Sequence, residues 1–123
     1  MSGDNDPRST IHHICRAEEW RAGKEAGVYA GSSQDRADGF IHFSTKSQIV
    51  ASAAKHRQGQ DGLVLLTVDA ARLGDALKWE ASRSGALFPH LHGDLDPSIV
   101  ARVEPLPLGA DGVHVFPKRF ARE

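Results

Sequence analysis

The segment Gly39-Phe40-Ile41-His42-Phe43-Ser44-Thr45-Lys46-Ser47-Gln48 restricts the fold more than any other stretch of the chain. Phe40 to Phe43 is short, aromatic and β-branched, and Gly39 punctuates its start, so it reads as a strand. Alternation puts Phe40, His42 and Ser44 on one face and Ile41 and Phe43 on the other. Thr45 and Gln48 have the spacing of a capping box, and Ile49, Val50, Ala53 and Ala54 follow as one apolar helical face. A strand that runs straight into a helix places His42 and Ser44 beside a helix N-terminus, where free N–H groups favour an anion. Lys46 adds a positive charge there. The segment therefore predicts an anion site at Ser44, Thr45 and Lys46. The plainer reading is that Thr45 only caps the helix and His42 is a hydrogen-bonded strand residue.

The rest of the chain supplies partners for this unit. Ile11 to Cys15 reads as a first strand whose two histidines face opposite ways. Ala17 to Ala26 is rich in helix formers and stops at Gly27, with Trp20 as its core anchor. Val28 to Ala30 reads as a short strand, and Gly31 to Asp38 as a polar loop without a pattern. The anchor helix is expected to run to about Gly59. Leu63 to Val68 is apolar on both faces, as a central strand is. Asp69 caps a single turn, Ala70 to Leu73, stopped by Gly74. Leu77 to Glu80 reads as a strand with Leu77 and Trp79 inward, followed by a loop from Ala81 to Ala86. Pro89 makes Leu87 to Gly93 an edge or irregular segment. Val100 to Val103 forms a late strand ended by Pro105 and Pro107, with a short strand at Val113 to Phe116.

Two main helices among short strands, not in strict alternation, predict an α+β domain with a small split sheet, mixed or antiparallel. With 123 residues, the chain is expected to form a single domain over residues 11–117, between flexible ends at 1–10 and 118–123. Net charge is −1, which gives no bulk reason for nucleic-acid or acidic-membrane binding. The single cysteine, Cys15, excludes a disulfide framework within the chain, and it reads as a small buried hydrophobe. No run is apolar enough to span a bilayer, and no signal peptide is visible, so a soluble cytoplasmic protein is expected.

Seven histidines in this length are the compositional hint of chemistry. His13 (or His12), His42 with Ser44, Glu80, and His90 with His92 place polar groups inside apolar segments. Such groups are costly to bury alone, so His13, His42 and His90 are predicted to converge in one cleft. A metal shell of His90, His92 and a third imidazole is one alternative, and a Ser44 nucleophile is another. His56 reads as an exposed residue on the helix side away from Ile49 and Ala53, and His114 as structural.

Ile11-His12-His13-Ile14, Glu19-Trp20, Gly39-Phe40-Ile41-His42-Phe43-Ser44-Thr45, Leu63 to Leu66, Trp79-Glu80 and Leu87-Phe88-Pro89-His90-Leu91-His92-Gly93 together resemble a bacterial family, domain of unknown function 952. The resemblance covers Ile11 to Leu106. It implies a fold similar to the ADP-ribosyltransferase-like domains, small split α+β cores that bind NAD or related nucleotides, and no assigned reaction. On this resemblance His13, His42, Glu80 and His90 are candidate catalytic residues. Ser44, Thr45, Lys46 and His92 are candidate ligand contacts, NAD is the candidate substrate, and no metal is expected. At His92 the family more usually has Tyr, a poor substitute for a metal ligand. Three functions stay open: ADP-ribosyl transfer from NAD, a non-catalytic small-ligand or anion-binding module, and a metal-dependent hydrolase on His13, His42 and His90. The first requires a carboxylate, Glu80, inside the cleft.

Overall fold

The computed structural model of the chain describes residues 8–120. Its elements are β1 (Thr10–Arg16), α1 (Ala17–Ala26), α2 (Ser33–Asp38), β2 (Ile41–His42), β3 (Ser44–Thr45), α3 (Lys46–His56), β4 (Leu63–Asp69), β5 (Leu77–Ala81), β6 (Leu87–Leu91) and β7 (Val100–Leu106). The fold is α+β. Its strands form a four-stranded sheet, ordered β3-β1-β4-β7, and a three-stranded sheet, ordered β2-β6-β5. Every ladder between these strands is antiparallel. A third helix, α2, joins the two longer ones.

The alternation of β1 divides the core in two. Ile11 and Cys15 pack on one side with Trp20, Tyr29, Phe43 and Leu91, so this core is shared by both sheets and α1. Ile14 faces the other side, where Ile49 and Ala53 of α3 meet Leu65, Leu106 and Phe120. Burying a Tyr29- or Phe43-sized side chain stabilises the fold by about 2–3 kcal/mol. β4 lies inside its sheet, as its two apolar faces require. Leu77 and Trp79 of β5 pack inward against the first core.

Several elements differ from the sequence reading. Gly31 to Asp38 is not a patternless loop, because Ser33–Asp38 is helical behind a Ser32–Asp35 capping box. Val28 to Ala30 and Val113 to Phe116 each shrink to one isolated bridge, Tyr29 with Leu95 and His114 with Leu108. α3 ends at His56, short of Gly59. β7 runs through Pro105, which an edge strand tolerates.

β6 is the middle strand of its sheet despite Pro89. Bonds from Ser82 N–H to Ala86 O and from His92 N–H to Ala76 O set the β5–β6 phase. In that phase Pro89, opposite Trp79, needs no N–H toward β5. On its other side β2 has ended, and Pro89 O accepts the Phe43 N–H at 3.0 Å.

The expected flexible ends fall partly on residues 1–7 and 121–123, outside the described residues. Within the described residues Thr10 opens β1, and Phe120 is buried in the second core. The packed unit therefore continues past residue 117. No helix among the described residues is long and apolar enough to cross a membrane.

Candidate functional site

A cavity of about 460 Å³ lies between β1, the β2–β6 pair, α2 and one face of α3. His13, His42, Ser44 and His90 all line it, although they come from four different strands. The register explains part of this: His42 lies opposite His90 across the β2–β6 ladder, so both point to the same sheet face. Their ring centroids are 5.5 Å apart, and Phe40 lies against both, stacked on His90 at 4.2 Å.

The centre of the network is Asp35, a residue the sequence reading left in a loop. It is 3% exposed. One carboxylate oxygen accepts the Ser32 N–H at 2.7 Å and the Ser32 hydroxyl at 3.0 Å. The other accepts His42 Nδ1–H at 2.6 Å and the His42 backbone N–H at 3.1 Å. Burial by itself would push this carboxyl up. The hydrogen bond from the His42 ring and the backbone N–H bonds of Ser32 and His42 outweigh burial and hold Asp35 at about 2. The Ser32-x-x-Asp35 spacing that caps α2 is the sequence signal that could have located it.

His13 is 2% exposed and both its nitrogens are occupied. Nδ1 faces the His42 carbonyl at 2.6 Å and must therefore carry the proton. Nε2 then accepts from the Tyr29 hydroxyl at 2.8 Å. Asp35 Oδ2 is 3.4 Å from the same Nε2, but burial pushes the ring below its ordinary value and keeps it neutral. Cys15 hydrogen-bonds Tyr29, and burial pushes its thiol up to about 12, so it is an inert core group. His13 thus positions the His42 backbone. His12 faces the other way, onto Thr67 Oγ1 at 3.1 Å and the edge of Phe120, and burial takes it down to about 4.

Of the three other imidazoles in the lining, His42, His56 and His90, two are oriented by a carboxylate. His42 donates through Nδ1 to Asp35, and its Nε2 lies 3.1 Å from Asp38 Oδ2. His90 donates through Nδ1 to Glu80 Oε1 at 2.8 Å. No buried side-chain nitrogen or oxygen among the described residues lacks a partner. The unbonded Nε2 of half-buried His90 is therefore open to solvent as an acceptor. His92 donates to the same Glu80 oxygen at 2.8 Å, and the two histidines, His92 foremost, hold Glu80 below its ordinary value.

Four expected placements do not occur, at Glu80, Thr45, Lys46 and His92, and His92 is spent on Glu80 outside the lining. Glu80 is 41% exposed and stands outside the lining, because β5 is one strand further out than β6. Thr45 and Lys46 also stand outside it. The Gln48 side chain accepts the Thr45 N–H at 3.0 Å and donates to Leu87 O at 2.8 Å, and Lys46 is exposed. The cavity meets α3 along Ser52 and His56 instead. His13, His42 and His90 do not form a metal shell, since the His13 nitrogens are both spent. Among the described residues no group of three His, Cys, Asp or Glu side chains is placed to hold a metal ion.

A family model described as "Protein of unknown function (DUF952)" matches residues 14–103. The X-ray crystal structure of protein CC0527 from Caulobacter crescentus is 49% identical, with a TM-score of 0.85 over 90% of this chain and 97% of that one. The solution NMR structure of CC0527 is 51% identical, with a TM-score of 0.77 over 85% and 90%. No curated protein matches the chain.

Proposed function

Because the chain belongs to the DUF952 family, whose function is unknown, we propose an activity from the geometry of the cavity: a nucleotide-binding enzyme of ADP-ribosyltransferase type. The observation that carries it is the pair of carboxylate-oriented imidazoles, Asp35–His42 and Glu80–His90, with ring centroids 5.5 Å apart on one cavity. Nicotinamide leaves NAD as a neutral base and needs no proton, so the pair suits a reaction in which one imidazole takes the proton of the attacking acceptor and the other orients the ribose. His90, with Nε2 free, acts as the base. His42, held between Asp35 and Asp38, orients the ribose. The split between two antiparallel sheets supports the ADP-ribosyltransferase-like reading of the fold, and NAD or a related nucleotide is the ligand it implies. Glu80 acts through His90 rather than on the substrate.

A second reading, a non-catalytic anion-binding module on the same fold, is favoured by the position of Glu80 outside the lining. One experiment separates the two. Purified protein is incubated with NAD, and release of nicotinamide is followed with and without small-molecule acceptors. Turnover that falls about 100-fold or more in both His42→Gln and His90→Gln supports the enzyme. Binding of ADP-ribose with no turnover of NAD supports the module. Failure of NAD and ADP-ribose to bind at millimolar concentration overturns both nucleotide readings.

A further inference from the structure

The charges that line the cavity are spent unequally. Each carboxylate is already used. Asp35 holds Ser32 and His42, Glu19 accepts the Arg16 N–H at 3.0 Å and the Ser33 N–H at 3.3 Å, and Asp38 accepts from Gln34 at 3.1 Å and faces His42. The basic side chains are not used in this way. Among the described residues Arg16, His56 and Arg57 form no ion pair with a carboxylate, and all three line the cavity. Arg57 is half-buried. Its guanidinium donates to Ile14 O at 3.0 Å and to Gln60 Oε1 at 3.2 Å, which leaves three of its five N–H groups free.

The α3 face adds neutral donors. Ser52 Oγ accepts from Ser44 at 3.2 Å and so keeps its own O–H. His56 stands one turn further along the same face. Lys55 and His56 both lie in the last turn of α3, where basic side chains answer the negative end of the dipole, but Lys55 stands outside the lining whereas His56 and the C-cap residue Arg57 line the cavity. Burial first, then the fields of Lys55, His42 and Arg57, lowers His56, so near neutral pH it serves as a hydrogen-bonding imidazole rather than a cation.

We infer that Arg57, His56 and Ser52, with Arg16 across the cavity, form a subsite for the phosphoryl groups of the ligand, a pyrophosphate in the nucleotide reading. The inference rests on the proposed function for the rest of the ligand and fixes its direction. The pyrophosphate lies toward the C-terminal end of α3, and the ribose end lies toward His42 and His90. A planar guanidinium with free N–H groups matches phosphate oxygens in pairs.

The test is calorimetric titration of inorganic pyrophosphate, ADP-ribose and adenosine into the wild-type protein, Arg57→Met, Arg57→Lys and His56→Gln, with melting curves for each. Arg57→Met is expected to weaken pyrophosphate and ADP-ribose about 10-fold or more, with Arg57→Lys in between and adenosine unchanged. His56 is exposed, so His56→Gln keeps the test decisive if Arg57→Met unfolds, and it is expected to weaken pyrophosphate severalfold. Pyrophosphate binding that depends on Arg57 without any nucleotide binding upholds the subsite and refutes the NAD reading. Tight NAD or ADP-ribose binding indifferent to Arg57 and His56 overturns the subsite and leaves the NAD reading standing. No pyrophosphate binding at millimolar concentration also overturns the subsite.

Discussion

At the scale of single residues, the site is built on buried ionisable groups whose protonation is fixed by their surroundings. Their acid response follows from that. Folded His12 sits at about 4 against an ordinary 6.5, because it is buried and faces Arg119. Above pH 6.5 neither the folded nor the unfolded chain protonates it. Between pH 6.5 and 4 the unfolded chain takes up a proton that the folded chain refuses, so stability falls by on the order of 3 kcal/mol. His13, also lowered by burial, acts in the same direction below 6.5. Asp35 is held at about 2 against 3.8, so its contribution is present above 3.8 and is lost as pH falls toward 2. Urea unfolding from pH 7 to pH 4 should show a steep loss of stability, flatter in His12→Gln, which removes the titrating ring. Equal slopes for the two proteins would contradict the assignment to His12.

At the scale of elements, the legible parts were those in which local signals and tertiary packing agree. α1 keeps its predicted bounds because helix formers run unbroken to Gly27, which is left-handed at φ 78°. The single strand expected from Phe40 to the start of α3 breaks into β2 and β3, which join different sheets, but its alternation survives, with Ile41 and Phe43 buried in the core and His42 turned to the cavity. α2 was missed because it has no apolar stripe; it is held by its caps and by Asp35. The role of Asp35 was hidden with it, since the bonds to His42 and Ser32 exist only once α2 has formed. The cleft position of His56 and Arg57 was missed because it depends on where α3 docks. Pro89 misled for the opposite reason: proline disfavours a central strand only where its N–H is needed, and here β2 stops short.

The same element gives a mutational test. Gly31 precedes α2 at φ 98°, and a Cβ there would meet Asp35 Cβ at 2.6 Å and Ile41 Cγ1 at 3.1 Å. Gly39, at φ 89°, closes α2 with open space around it. Gly39→Ala should cost about 1 kcal/mol through backbone conformation alone. Gly31→Ala should cost at least about 2–3 kcal/mol more and displace Asp35. Denaturant midpoints compare the two, and equal losses would show that α2 does not press on Gly31 as described.

At the scale of the whole molecule, two antiparallel sheets share one core on the inner face of β1 and part around a cavity of about 460 Å³. β1, β2 and β6 carry His13, His42 and His90, while α3 and its C-cap bring His56 and Arg57 from the other side. Together these form one ligand site, with proton transfer at His90, the ribose at His42 and phosphoryl groups at Arg57. A crystal structure of the protein grown in saturating ADP-ribose tests that claim most directly. The account predicts density in the cavity, with the pyrophosphate against Arg57 and the terminal ribose within hydrogen-bond reach of His42 or His90. An empty cavity at saturating ligand, or a ligand bound elsewhere on the surface, would contradict it.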